Sequence, residues 1–152
     1  MKIIPATGPE EREACFALRF TVFVGEQGVP AEIELDELDR PGAACSHFLM
    51  IEDGRPIGTF RCSYESPDTV HFQRFCILPE MRGREYGRAA LDFVREKYAK
   101  EGVRRITLNA QCRAVGFYEK CGFTVTSGVF DDAGIPHQAM EAILPEGERD
   151  ER

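Results

Sequence analysis

With 152 residues, 43% of them hydrophobic and 30% charged, the chain has ordinary globular values, long enough for one continuous core and too short for two ordinary domains. Its net charge of −7 excludes the broad basic face that a nucleic-acid backbone demands. No apolar run reaches membrane-spanning length and the start, M-K-I-I-P-A-T-G-P-E, lacks a secretory pattern, so a cytoplasmic location without a membrane partner is expected.

Residues 2–5 read as a short strand, after which Gly8 and Pro9 open a helix with Glu10 and Glu11 in its first turn. Cys15, Phe16, Leu18, Phe20, Val22 and Phe23 wrap that helix widely, which predicts burial, and Gly25 is expected to stop it. Arg19 on such a helix needs a salt-bridge partner or a wet cleft. Between Gly25 and Pro41 the chain reads as loop, carrying the acidic run A-E-I-E-L-D-E-L-D, either a solvated face or a lure for a cationic amine.

Strands follow at 44–51 and 57–64, joined through Asp53-Gly54, the signature of a type I′ hairpin, and Ser66-Pro67-Asp68 turns the chain into a third strand at 70–78. Next comes R-F-C-I-L-P-E-M-R-G-R-E-Y-G-R, from Arg74 to Arg88, which passes from a hydrophobic strand through a glycine-bearing turn into a basic helix start. Helix openings leave backbone N–H groups unpaired and carry partial positive charge, so this arrangement suits a phosphate. Residues 74–105 hold nine Lys or Arg against five Asp or Glu, a local +4 that fits a compact anion better than a polymer. Neither G-x-x-x-x-G-K-[ST] nor G-x-G-x-x-G is present, so nucleotide hydrolysis and dinucleotide binding lose support.

Helical spacing of Ala90, Leu91, Val94 and Tyr98 predicts a helix over 84–100, followed by a strand at 105–110 and hence a β-α-β unit. A short helix over 112–120, a strand over 123–130, the turn D-D-A-G and a last strand to Leu144 complete the reading. The expectation is a single α/β (α+β) domain over 1–145, a mixed central sheet with helices on both faces, and a disordered tail at 146–152. The six cysteines form no C-x-x-C pair and lie mostly in hydrophobic segments, which favours buried free thiols. The three histidines are far apart in sequence, and no metal is expected.

The Arg82 to Gly87 stretch resembles the pyrophosphate loop of GNAT-family N-acetyltransferases, Q/R-x-x-G-x-G/A, with Glu85 in place of the middle glycine. A-Q-C-R-A-V-G-F-Y-E-K-C-G-F, Ala110 to Phe123, is similar to the family's later signature N-x-x-A-x-x-[LF]-Y-E-K-x-G-F, with Gln111 replacing the asparagine. L-R-F-T-V-F-V-G-E-Q from Leu18, the following D-x-x-D, His47 and D-D-A-G-I-P-H-Q-A-M from Asp131 resemble the ElaA-type branch. The likeness covers nearly the whole chain and implies acetyl-CoA as cofactor and an amine of a small molecule or peptide as acceptor.

By that resemblance, Arg82, Gly83, Arg84, Tyr86, Gly87 and Arg88 hold the diphosphate. Phe75, Cys76 and Ile77 offer strand backbone to the pantetheine arm in the gap between two splayed strands, and Gln111 and Phe117 belong to the same cofactor site. Direct attack of a neutral amine on a thioester needs a base, donors for the carbonyl oxygen and an acid for the leaving sulfur. Tyr118, the tyrosine of the later signature, is the candidate acid. His71, a candidate base for which Glu34, Asp36 or a bound water are substitutes, stands where some histone-modifying relatives carry a base glutamate, and Gln73, Phe75 and Ile77 are expected on its strand face. Arg19, Glu26, Gln27, His47 and His137 are candidates for the acceptor pocket, with structural roles for His137 and Glu26 equally open. A CoA-binding module without turnover, and an acyltransferase using longer chains, suggested by the likeness of R-F-T-V-F to acylhomoserine lactone synthases, are the alternatives. Homodimers are frequent in the family, though no heptad seam demands one here.

Overall fold

The computed structural model describes residues 1–145, so the tail expectation at 146–152 lies outside the described residues. Two units form around separate sets of contacts: residues 1–63 with 73–87, and residues 64–72 with those from Arg88 on.

In the first unit β1 (Lys2–Pro5) pairs antiparallel with β2 (Ser46–Glu52), which pairs antiparallel with β3 (Arg55–Ser66). Asp53 and Gly54 both take left-handed φ, 51° and 75°, the backbone of the type I′ turn their sequence called for. β4 (Thr69–Ile77) follows, its second half belonging to this unit. α1 (Pro9–Arg19) opens with proline in its first turn and the Gly8 N–H donating to Glu11 Oε1 at 2.7 Å. Its apolar side buries Cys15 and Leu18 with Val22, Ala6, Leu49 and Cys76 in one cluster, each large aliphatic side chain stabilising by roughly 1.5–3 kcal/mol. Gly58 is required on β3: a β-carbon there would lie 2.8 Å from the Cys76 carbonyl oxygen and 2.5 Å from Ile77 Cδ1.

Three expectations are corrected in this unit. The first helix does not stop at Gly25; its hydrogen bonds widen after Arg19 into a π-helical stretch, Phe20–Glu26, and the Gln27 N–H reaches Val22 O. The chain leaves helical space at Gly28, whose φ is 76°. The segment read as loop contains α2 (Ala31–Glu34) and a 3₁₀ turn at Glu37–Asp39, and two of its acids turn inward, Glu34 being 3% and Asp39 7% exposed, while Glu32 and Glu37 stay exposed. Finally, strict alternation along β4 fails at Arg74, which has φ 55° inside the strand, so that Cys76 and Ile77 are both buried.

In the second unit the first residues of β4 lie parallel to β5 (Arg105–Gln111), in the pairs Thr69↔Arg105, Val70↔Ile106 and His71↔Thr107. β5 pairs antiparallel along its length with β8 (Ile135–Ile143), which also carries β6 (Thr124–Val125) and β7 (Phe130–Asp132). The strand expected over 123–130 is thus two short ones, separated where Ser127 Oγ accepts from the Ala139 N–H and donates to Gly128 O. α3 (Tyr86–Lys100) supplies the crossover from β4 to β5 and buries Ala90, Leu91, Val94 and Tyr98, while α4 (Val115–Lys120) buries Tyr118. β3 and β4 run through both units, and the eight strands count as one mixed sheet in which β4–β5 is parallel and the described neighbours β1–β2, β2–β3, β5–β8, β6–β8 and β7–β8 are antiparallel. None of the helices is long and apolar enough to cross a membrane among the described residues.

Candidate active site

The basic stretch occupies the end of β4 and the entry to α3. Phe75 is half-buried; Cys76 and Ile77 are buried, and burial pushes the Cys76 thiol up to about 12, which keeps it protonated and unreactive. After a 3₁₀ turn at Pro79–Met81 come Gly83 and Glu85, both left-handed at φ 78° and 67°. Glu85 therefore holds a backbone in which glycine would be free of strain, at a cost of roughly 1–2 kcal/mol for a residue bearing a β-carbon. Nothing lies within 4 Å of where a Gly83 β-carbon would stand, so that side of the loop is open. α3 begins at Tyr86, and its first turn, the positive end of the helix, carries Gly87 and exposed Arg88 and follows exposed Arg82 and Arg84. This donor set and charge fit a diphosphate.

Several of these side chains are already engaged, among them Arg82 and Tyr86. Arg82 grips Glu26 with two hydrogen bonds, 2.8 and 2.6 Å, and its Nε donates to Ile77 O at 3.1 Å. The hydrogen bond with Glu26 raises the Arg82 pKa. The Tyr86 hydroxyl donates to Glu52 Oε2 at 2.6 Å. Glu26, a candidate acceptor contact by sequence, is thus brought to Arg82 of the basic stretch, and half-buried Gln27 follows it at the end of the π-helical stretch.

Arg19 and His47 belong to a buried ionic cage, which corrects the expectation that they line an acceptor pocket. Arg19 is 1% exposed and spends its guanidinium on Glu34 and Asp39, with Nε–Oε2 at 3.0 Å and Nη1–Oδ1 at 2.7 Å, so it has no surface to offer a ligand. His47, 4% exposed, approaches Asp39 at 3.8 Å and packs edge-on to Phe16; burial, then the nearby charge of Arg12, lowers its pKa and keeps it neutral. Arg61 reaches Asp36 and Asp39 at 2.7 and 2.8 Å, and Arg74 reaches Glu34 at 3.1 Å. Burial pushes Asp39 up, but the Arg19 hydrogen bonds, the Asp36 N–H and the charges of Arg19 and Arg61 outweigh it and hold the carboxyl well below its usual range. For Glu34 burial wins over Arg74 and Arg19, and its pKa is raised. Sequence reasoning missed Arg61 and Arg74; the legible sign was a single arginine in each of two otherwise apolar or uncharged strand stretches.

In the second unit, His71 Nδ1 lies 2.7 Å from Thr107 Oγ1, and that hydroxyl donates to Glu65 Oε1 at 2.7 Å. All three line a depression of about 450 Å³ together with Arg105, Asn109 and Glu141. Thr107 and Glu65 were also missed, although R-I-T-L-N-A-Q alternates and so puts Thr107 and Asn109 on one face of β5. Tyr118 packs edge-on to Phe117 and Phe123, and burial raises its phenol pKa, so the proton stays on the oxygen. Among the described residues its hydroxyl has no hydrogen-bond partner, yet it is not sealed off: the residue keeps 9% of its surface. His137 stacks on Phe130 with Nδ1 2.7 Å from Ile135 O, an anchor for the D-D-A-G-I-P turn. Gln111 pairs with His137 in the β5–β8 register, and its Oε1 accepts from Arg113.

The parallel crossover from β4 through α3 to β5, entered by an arginine-rich turn, is the arrangement expected of the family that the sequence resembles, and comparison with known proteins agrees. The family model described as the acetyltransferase (GNAT) domain matches residues 21–144. The N-acetyltransferase YjcF of Bacillus subtilis, itself uncharacterised, is 36% identical over 92% of this chain and 98% of its own. The crystal structure of an inferred N-acetyltransferase from Lactobacillus plantarum superposes with TM-score 0.84 at 32% identity, covering 95% of this chain and 98% of that one. Escherichia coli ElaA has the same fold, with TM-score 0.81, 22% identity, and 93% and 98% coverage. The chain belongs to the GNAT acetyltransferase family, and it is an acetyltransferase that uses a coenzyme A thioester.

Proposed function

We propose that the protein transfers acetyl from acetyl-CoA to a primary amine of a small molecule or peptide by direct attack, with His71 as base and Tyr118 as acid. The observation that carries this reading is the left-handed backbone at Glu85. A glutamate is held where glycine would be free of strain, so the fold keeps the loop that opens α3 toward an anion despite the altered side chain.

Arg82, Arg84 and Arg88, with the amides around Gly83 and Gly87 and the Tyr86 side chain, would hold the diphosphate; Phe75, Cys76 and Ile77 would offer strand backbone, and Gln111 and Phe117 would flank the arm. When bound, the cofactor supplies an activated acyl thioester. His71 accepts the proton that the attacking amine must lose. Tyr118 carries a phenolic proton that burial keeps in place, and so serves as donor to the departing sulfur. Cys76, protonated and buried, is not a nucleophile, which favours direct attack over an acyl-enzyme.

Arg82 must exchange Glu26 for phosphate, so calorimetry of acetyl-CoA binding tests the reading directly. Arg82→Ala should weaken affinity about tenfold, the usual scale for a hydrogen bond to a charged group. Equal affinity in parent and variant would remove the loop from the cofactor site. Bound acetyl-CoA with no acetylation of a broad panel of primary amines would instead favour a sensing module.

A further inference from the structure

The parallel ladder sets His71 opposite Thr107, so their side chains rise from the same face of the sheet, and Glu65 reaches the same place from β3. A hydroxyl has one proton, and a carboxylate can only accept. Because Thr107 gives its proton to Glu65 at 2.7 Å, the 2.7 Å contact with His71 must run the other way, from Nδ1–H to Thr107 Oγ1. That direction leaves the imidazole lone pair on Nε2.

We infer that Thr107, backed by Glu65, is a positioning residue that fixes the Nδ1–H tautomer of His71 and directs its Nε2 lone pair to the acceptor's proton. The inference rests on the reading of His71 as base. A base must present a lone pair in a constant direction, and a ring free to turn over or change tautomer presents it for only part of the time. The other charged groups lining the depression leave Glu65 as the acid closest to the ring, 3.9 Å from Nδ1: Arg105 on β5 is paired with Glu141 on β8 at 3.3 Å and also meets Thr69 at 3.4 Å. Glu65 favours the imidazolium that forms once the proton is taken, and Thr107 carries that influence through two hydrogen bonds without placing a carboxylate where it could claim the ring itself.

The test uses nitrogen NMR of histidine-labelled protein, in which only His47, His71 and His137 contribute and His71→Ala assigns the signal of interest. The neutral ring should show Nδ1–H in the parent. Thr107→Val, nearly the same shape without the hydroxyl, should move the proton to Nε2–H for a large part of the population. It should also lower transfer to the amine panel about tenfold, the smaller end of what outer-shell partners contribute. Thr107→Ser should restore both, separating the hydroxyl from any packing effect. Glu65→Gln should keep the tautomer, since its amide oxygen still accepts, while moving the acidic limb of the pH–rate profile to lower pH because the imidazolium loses its nearby charge. An unchanged tautomer and rate in Thr107→Val, in a protein whose His71→Ala variant has lost that limb, overturns the positioning role and leaves the base reading standing. A His71→Ala profile that overlays the parent's ends the base reading and the positioning role together.

Discussion

Replacing Glu85 by alanine and by glycine separates two effects that coincide at this residue. Glu85 has φ 67° and an exposed side chain at the opening of α3. The left-handed conformation costs a residue with a β-carbon roughly 1–2 kcal/mol, and glycine recovers that while losing roughly 0.5–1 kcal/mol to the greater freedom of its unfolded chain. Glu85→Gly should therefore exceed Glu85→Ala in stability by about 0.5–1 kcal/mol, or about 2–3 °C in a domain of this size. The charge effect is shared by both variants. At a separation of about 7 Å in water, one carboxylate repels one phosphate charge by about 0.6 kcal/mol, so removing it should tighten acetyl-CoA binding about threefold, or about sevenfold if both phosphates contribute equally. Thermal unfolding followed by circular dichroism gives the first quantity and calorimetry at two salt concentrations the second, the gain shrinking at high salt. Equal melting temperatures would refute the strain argument. Unchanged affinity in both variants at low salt would place the diphosphate away from Glu85.

The ionic cage yields a stability prediction. Asp39→Asn leaves Arg19 and Arg61 buried against a neutral amide, a loss of about 3–5 kcal/mol and about 10 °C in melting temperature; a shift within 2 °C would mean that the cage relaxes to water. The same variant changes the acid limb. Asp39 is held below its unfolded value, so its contribution is full above about pH 4 and is lost as pH falls, whereas Glu34, held above its unfolded value, contributes stability at low pH that is lost as pH rises through its folded pKa. Between pH 5 and 2 the parent should lose more stability than Asp39→Asn, and parallel curves would contradict the assignment. Tyr118→Phe should lower turnover tenfold to a thousandfold with acetyl-CoA affinity unchanged, since the ring's contacts with Phe117 and Phe123 persist; full turnover would exclude Tyr118 from proton donation.

Local signals with a single physical cause were legible in the chain. Asp53-Gly54 fixed its turn because few other pairs accept two successive left-handed residues, and the helical spacing of Ala90, Leu91, Val94 and Tyr98 marked the face α3 buries. The arginine-rich run marked the entry to α3 as the candidate phosphate loop because helix openings and cations act over neighbouring residues. Arg19, Arg61 and Arg74 come from three different elements and meet acids from a fourth stretch, and no spacing records such a meeting. The acidic run looked solvated because acids without visible partners usually are; only the folded chain supplies the three arginines. The π-helical stretch was hidden for a related reason, since Phe20–Glu26 has the composition of an ordinary helix and only its hydrogen bonds distinguish it.

The first unit concentrates its least tolerant features on one stretch, residues 73–82. Gly58 lets β3 approach so closely that the Cys76 carbonyl and Ile77 leave no room for a methyl group. Arg74 leaves the pleat to enter the cage, where its Nε lies 3.1 Å from Glu34 without the alignment of a hydrogen bond, and Arg61 Nε is likewise buried without an acceptor. Arg82 folds back on Ile77 O while holding Glu26. Three arginines and three acids balance in the cage, so its net charge is zero, yet removing any one member strands an opposite charge out of water. A cage of that kind adds little stability over an apolar core of the same volume. It does make the geometry of β4 steep to deform, because a displacement of Arg74 breaks contacts with Glu34 and Asp36 together. For a strand proposed to present backbone at Phe75, Cys76 and Ile77 to a cofactor arm, resistance to displacement matters more than depth of burial, and this is the property the cage supplies.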